Sequence, residues 1–228
     1  GFLSVIHSMK EDYITAAWLI VIAAIMDVLD GRVARLVKSS SEFGVELDSL
    51  ADISSFGFAP AILIYKSYFS SWDAVGILIS FLPLVFGGIR LARFNVGVAD
   101  VHEKDNFFKG LPIPSSAISL CTFVVFEKSV FGEFRHAEIL TGLTIIISIL
   151  MVSKIRYDAV PNFSFKKTED VIKMVLLAPL LPLFILYPSK MIFPGMMFFV
   201  LTGVIRAAIH LFKHRDQEDE IPHMGAVD

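Results

Sequence analysis

Seven apolar runs, each near the length that crosses a hydrocarbon core roughly 30 Å thick, follow one another along this chain. They are Tyr13 to Leu29, Leu50 to Phe69, Trp72 to Phe94, Leu111 to Phe131, Ala137 to Ser153, Val171 to Tyr187 and Met191 to Phe212. In lipid every backbone N–H and C=O must be satisfied within the protein, which leaves helices and closed barrels. The runs lack the alternation of a barrel wall, so strands are not expected. Charged residues make up 19% and mean hydropathy is +0.68, against about 25% charged in soluble domains. The sequence therefore predicts an all-α, polytopic transmembrane bundle of about seven complete spanning helices. The opening GFLSVIHSM is too short to span and reads as the second half of a first helix, at a truncated or processed start. Residues 1–213 read as a single integral membrane domain and 214–228 as a polar, weakly ordered tail.

Charge sets the expected orientation. Of the 20 Lys and Arg residues, all but Lys10, Lys66, Lys128, Arg135 and Lys190 fall at or near one face. By the positive-inside rule that face is cytoplasmic and carries the longer loops and the tail. The single Cys121 lies inside an apolar run and reads as a small buried hydrophobe. His7 is read as interfacial, and His102, His136 and His214 as solvated loop or tail histidines. No nucleic-acid partner is expected.

One stretch breaks the apolar pattern: MDVLDGRVARLVKSSSEFGVELDSLAD, residues 26–52. If the first run continues as a helix to Arg35, Asp27 and Asp30 share a face, with Gly31 and Ala34 leaving open space beside them. If the next helix begins near Gly44, then Gly44, Asp48 and Asp52 form one stripe at intervals of four. Four carboxylates brought together repel one another and resist ionisation unless a cation sits among them. An oxygen-only donor set suits a hard divalent ion such as Mg²⁺ or Mn²⁺, and in turn a substrate rich in phosphate oxygens.

The stretch Asp-x-x-Asp-Gly-x-x-Ala-Arg, eight residues, Gly-x-x-x-Asp-x-x-x-Asp resembles the signature of the CDP-alcohol phosphotransferase family at all eight of its positions. The resemblance implies an integral membrane enzyme, usually a homodimer. Such an enzyme moves a phosphatidyl or similar group from a CDP-linked donor to an alcohol and releases CMP. Carried over residue by residue, it implies that Asp27, Asp30 and Asp48 ligate two divalent ions, with Asp52 a shared ligand or, more importantly, the catalytic base. It implies further that Asp30, Gly31, Ala34, Arg35, Gly44 and Asp48 hold the CDP part, Arg35 at the diphosphate.

A second stretch bears on the acceptor. GGIRLARFNVG closes one run and FFKGLPIPSSA opens the next. Arg90, Arg93, Phe94, Asn95, Lys109, Gly110, Pro112 and Pro114 together resemble the phosphatidylserine synthase branch of the family. This implies CDP-diacylglycerol as donor and L-serine as acceptor, within membrane lipid. Arg90, Arg93, Asn95, Lys109 and Pro112 are the candidate acceptor or lipid-phosphate residues. Basic groups suit either the serine carboxylate or the lipid phosphate, and the sequence leaves that choice open. Glycerol 3-phosphate or inositol phosphate is the rival acceptor, though either calls for more dedicated basic residues. A divalent-cation transporter is the rival from another class; it would spread its acids over several helices near the midplane, whereas these lie in one stretch near one face.

Overall fold

The computed structural model describes residues 1–37, 42–100, 107–158 and 180–219. Helix α1 covers Phe2–Met9 and α2 Tyr13–Val37. A continuous helix then runs from Glu42 to Phe69: α3 (Glu42–Asp52), a π-helical segment Ile53–Phe58, α4 (Ala59–Ile64) and a second π-helical segment Tyr65–Phe69. Helix α5 is Asp73–Asp100, α6 Ile113–Phe131, α7 Ala137–Val152, α8 Leu180–Leu186 and α9 Pro188–Asp219. Helix α2 starts where it does because Asp12 caps it, its Oδ1 accepting the Thr15 amide at 3.3 Å. Asp12 Oδ2 also meets His7 Nδ1 at 2.9 Å. The Thr15 bonds, followed by His7, hold the Asp12 carboxyl below its ordinary range.

A helical membrane bundle is what the sequence predicts, but the helix count differs. Among the described residues five helices are long and apolar enough to cross a membrane: Tyr13–Val33, Phe43–Phe69, Asp73–Val96, Ile113–Phe131 and Pro188–Ile209. The run at Ala137 forms a helix of 16 residues, about 24 Å at 1.5 Å per residue, because Ser153 leaves the helix in an extended conformation. The run at Val171 lies mostly outside the described residues, with only α8 seen. Helix α9 continues to Asp219, into the segment read as a tail, and 220–228 lie outside the described residues.

The two-ended arrangement of the junctions is visible in the packing. Tyr13 Oη donates to the Lys66 carbonyl at 3.1 Å, and the Tyr13 ring meets Phe134 edge-on at 5.7 Å. Lys128 Nζ stands 5.5 Å from the Phe134 ring centre. The start of α2, the close of the Glu42–Phe69 helix and the α6–α7 turn therefore share one end. The C-terminal parts of α2, α5 and α7 share the other.

Small side chains set how closely the helices approach. Ala16, Ala17, Ile20 and Ala24 form one buried face of α2, and Ala117, Leu120, Cys121 and Val124 a buried face of α6, against which α2 packs. Among lipid tails apolar burial by itself drives little association, so close packing of this kind carries the contact. Outward, Ile22, Ile25, Val75, Leu78, Ile146, Ile149, Leu201 and Ile205 are exposed, as a lipid-facing surface requires. A Cβ on Gly87 would stand 2.5 Å from Ile113 Cδ1, so α5 and the head of α6 meet where α5 has no side chain.

Two features depart from the sequence reading. A short antiparallel strand pair exists, β1 (Phe107–Lys109) with β2 (Arg156–Asp158), in the register Phe107↔Asp158, Phe108↔Tyr157 and Lys109↔Arg156. It lies outside the spanning helices, where barrel closure is not required. His136 is not a freely solvated histidine. Its Nδ1 binds Glu127, a carboxylate only 1% exposed. Glu127 also accepts the Arg135 and His136 amides, each at 3.1 Å, and the Tyr68 hydroxyl. A carboxylate only accepts, so Nδ1 is the donor in this contact.

Candidate active site

Helices α2 and α3 run in opposite directions, and this pairs the four aspartates across the gap. Asp27 and Asp52 form the deeper pair. Both are half-buried, and their carboxyls are close enough to interact directly. Asp30 and Asp48 form the outer pair, exposed and within each other's Coulombic field. Asp27 and Asp52 also feel Asp48. The two helices do not lie flush: among the described residues α2 packs on Ile53–Phe58, just beyond Asp52, more than on α3 itself. A cleft between the acidic segments follows. At its edge a Cβ built on Gly31 would meet nothing within 4 Å. The π-helical segment starts directly after Asp52; such segments re-aim the side chains beside them and gather at functional sites.

Arg90 on α5 faces the deep pair and acts electrostatically on Asp52. Its Nε is buried with no hydrogen-bond partner, and among the described residues Arg90 forms no ion pair within 4.0 Å. Arg93, three residues on, donates from Nη1 to the Val152 carbonyl at 3.1 Å. Asn95 Nδ2 donates to Ser49 Oγ at 3.1 Å and to Glu46 Oε2 at 3.4 Å, which ties α5 to α3. Ser49 and Glu46 were not among the sequence candidates. Their signal was spacing, since Ser49 sits one turn before Asp52.

Pro112 caps the head of α6, and its carbonyl accepts the Ser116 amide at 3.0 Å. Just before it, Gly110 has φ +80° and donates to the Ile155 carbonyl at 2.8 Å, while Leu111 donates to the Leu150 carbonyl at 3.0 Å. A Cβ on Gly110 would stand 2.2 Å from the Met151 carbonyl oxygen, so both φ and space demand glycine here. These bonds hold the backbone of Lys109 beside the end of α7. The structure thus brings Asp27, Asp30, Asp48, Asp52 and Arg90 together and ties Arg93 and Asn95 to neighbouring helices. Gly44 lies on the first turn of α3. The side chains of Ala34, Arg35 and Lys109 lie outside the described residues.

The donor set fits a hard divalent cation: four carboxylates and no cysteine or histidine on the two helices that bear them. The mutual repulsion of Asp27, Asp48 and Asp52 also leaves negative charge for a cation to offset. Among the described residues, however, no three carboxylates converge closely enough to form a closed cage. The side chains stand as two facing pairs.

The family model for CDP-alcohol phosphatidyltransferase matches residues 1–152. A CDP-diacylglycerol–serine O-phosphatidyltransferase of Helicobacter pylori (strain J99) is 36% identical over 209 residues, 90% of this chain and 85% of the relative. A protein of the same name from Methanocaldococcus jannaschii is 37% identical over 163 residues, covering 72% of this chain and 73% of its own. An archaetidylserine synthase of Methanothermobacter thermautotrophicus is 36% identical over 162 residues, with 70% and 65% covered.

Proposed function

Because the chain belongs to the CDP-alcohol phosphatidyltransferase family, we propose that it transfers the phosphatidyl group of CDP-diacylglycerol to the hydroxyl of L-serine. The products are phosphatidylserine and CMP. The observation that carries the chemistry is the pair of facing aspartates Asp27 and Asp52 beside the half-buried side chain of Arg90. Serine as acceptor is supported by relatives named for that reaction.

Asp52 acts as the general base. Half-buried at the inner end of the cleft, it takes the proton of the serine hydroxyl as that oxygen attacks the phosphorus bearing diacylglycerol. One P–O bond forms to serine and one breaks to CMP, which leaves with the bonding electrons. Such a base contributes about 10²–10⁴ in rate when held within hydrogen-bond reach of the proton it removes. Asp27, Asp30, Asp48 and Asp52 would hold two divalent ions, Mg²⁺ or Mn²⁺. Bound there, the ions supply neutralisation of the charge that builds on the phosphoryl oxygens and on CMP. Asp30, Gly31, Ala34, Arg35, Gly44 and Asp48 hold the CDP part at the outer, exposed side of the cleft. Arg90, Arg93, Asn95, Lys109 and Pro112 form the wall nearest the acceptor and the lipid phosphate. The single membrane unit 1–213 works as a homodimer in the cell membrane, its site and the 214–228 tail facing the cytoplasm.

The test is to identify by mass spectrometry the lipid that purified protein makes from CDP-diacylglycerol when offered L-serine, glycerol 3-phosphate and inositol phosphate separately. Phosphatidylserine formed with serine, and no new lipid with the other two, is the expected result. A phosphatidylglycerophosphate or phosphatidylinositol phosphate product would overturn the acceptor assignment.

A further inference from the structure

Tyr157 on β2 lies outside the spanning helices, yet it is only 1% exposed. Its ring fills a notch in α9 that exists because residue 203 is glycine. A Cβ on Gly203 would stand 2.2 Å from Cε1, 2.6 Å from Cδ1 and 2.8 Å from Cζ of Tyr157. These are atoms of a rigid ring, not the end of a chain that could swing aside. One turn earlier on α9, the Phe199 ring meets that of Tyr157 with 5.7 Å between centres. Val200 and Gly203 are buried on this side of α9, whereas Phe198, Leu201 and Ile205 are exposed.

We propose that Tyr157 and Gly203 are positioning residues: by seating the strand pair on α9, they set where the acceptor wall at Lys109 stands relative to the aspartates. The proposal rests on the serine-transfer reading. Both residues lie beyond 1–152, the part that the family model matches, so the C-terminal helix gains a task in the reaction.

The path from the notch to the wall is short. Tyr157 stands opposite Phe108 in the strand register, and Arg156 opposite Lys109. Gly110 donates to the carbonyl of Ile155, two residues before Tyr157, at 2.8 Å. A lone two-stranded pair is marginally stable, so a pair of three-residue strands needs an outside anchor to hold its place. The anchor is α9, which packs on β2 and also along α6, the helix that Pro112 caps. The Tyr157 hydroxyl takes no part in this. Its Oη is buried without a hydrogen-bond partner among the described residues, which costs free energy, so the ring is what the notch holds.

The experiment compares Gly203→Ala, Tyr157→Leu, their double variant and Tyr157→Phe in the purified full chain. The readouts are KM for each substrate, kcat, thermal midpoint and the affinity for CDP, measured by calorimetry with Mg²⁺. Misplacing a positioned group by about 1 Å can cost about 10²-fold in rate. Gly203→Ala should accordingly lower kcat/KM for L-serine by about 10-fold or more. CDP affinity, which the proposed site draws from α2 and α3, should stay at wild type. Tyr157→Leu should act alike by emptying the notch, and it carries the test if Gly203→Ala fails to accumulate. The double variant should be more active than Gly203→Ala alone, because the smaller side chain makes room for the new methyl group. Gly203→Ala added to Lys109→Gln should cost little more than Lys109→Gln itself, since both act at one wall. Tyr157→Phe should keep both KM values and kcat. Wild-type kcat/KM for serine in Gly203→Ala and Tyr157→Leu, CDP affinity lost in step with turnover, or multiplying losses with Lys109→Gln would overturn the proposal. So would a double variant no better than Gly203→Ala, or a raised substrate KM in Tyr157→Phe, which would make the hydroxyl a substrate contact. Wild-type protein inactive with serine would instead overturn the underlying reading.

Discussion

The carboxyl of Asp27 stands against that of Asp52, although the two come from different helices, α2 and α3. Like charges are brought together here in a half-buried place, and no packing advantage explains it. Converting Asp52 to Asn keeps shape and removes the proposed base. The expected outcome is a fall in kcat of about 10²–10⁴, with CDP affinity measured by calorimetry little changed. Asp27→Asn and Asp48→Asn should in addition raise the divalent-ion concentration needed for half-maximal rate.

Removal of divalent ions is a separate test of the same cluster. Chelation should abolish turnover reversibly, with Mg²⁺ or Mn²⁺ restoring it. Without the ions, repulsion among the aspartates is less well offset, so the thermal midpoint should fall on chelation. In Asp27→Asn, which carries one charge fewer, that fall should be smaller.

Gly110→Ala should be disproportionately harmful for the addition of one methyl group. The new Cβ would collide with the Met151 carbonyl, in a backbone conformation at φ +80° that alanine adopts poorly. A loss of about 1–3 kcal/mol from the backbone alone is expected, read as a lowered thermal midpoint in detergent. Activity should fall with it, because the same turn sets the backbone of Lys109 and Pro112, two residues of the proposed acceptor wall.

Glu127 belongs to the opposite end of the bundle and should behave in the opposite way. Glu127→Gln replaces an acceptor that satisfies four donors with a group that cannot accept from all of them. The cost expected is about 1–3 kcal/mol for a donor left unsatisfied. The thermal midpoint should drop while both substrate KM values stay at wild type. Combining it with Tyr68→Phe should give a less than additive loss, since the two side chains share one bond.

The acidic site was legible because its spacing is local. Asp27 with Asp30, and Asp48 with Asp52, are set one helical turn apart, so the helix period alone puts each pair on a face. That the two helices run antiparallel and match Asp27 with Asp52 follows from a short connection. What the sequence did not disclose depends on distant contacts. Arg90 and Arg93 look equivalent along α5, and only the position of Val152 on another helix separates them. His136 looks like a loop histidine until Glu127, nine residues earlier, is folded back against it. Among the described residues fewer than seven helices are long enough to span, because an apolar run does not fix where a helix stops: the helix begun at Ala137 ends at Val152 as the chain turns into β2.

The most direct test of direct attack by the acceptor hydroxyl is CMP release from CDP-diacylglycerol with divalent ion present, followed with and without L-serine. A parallel sample would be examined for exchange of labelled CMP into CDP-diacylglycerol. Direct displacement with Asp52 as base requires serine for release and gives no exchange in its absence. CMP release or label exchange without serine would mean that the phosphatidyl group first passes to water or to a residue of the protein, and would contradict the account.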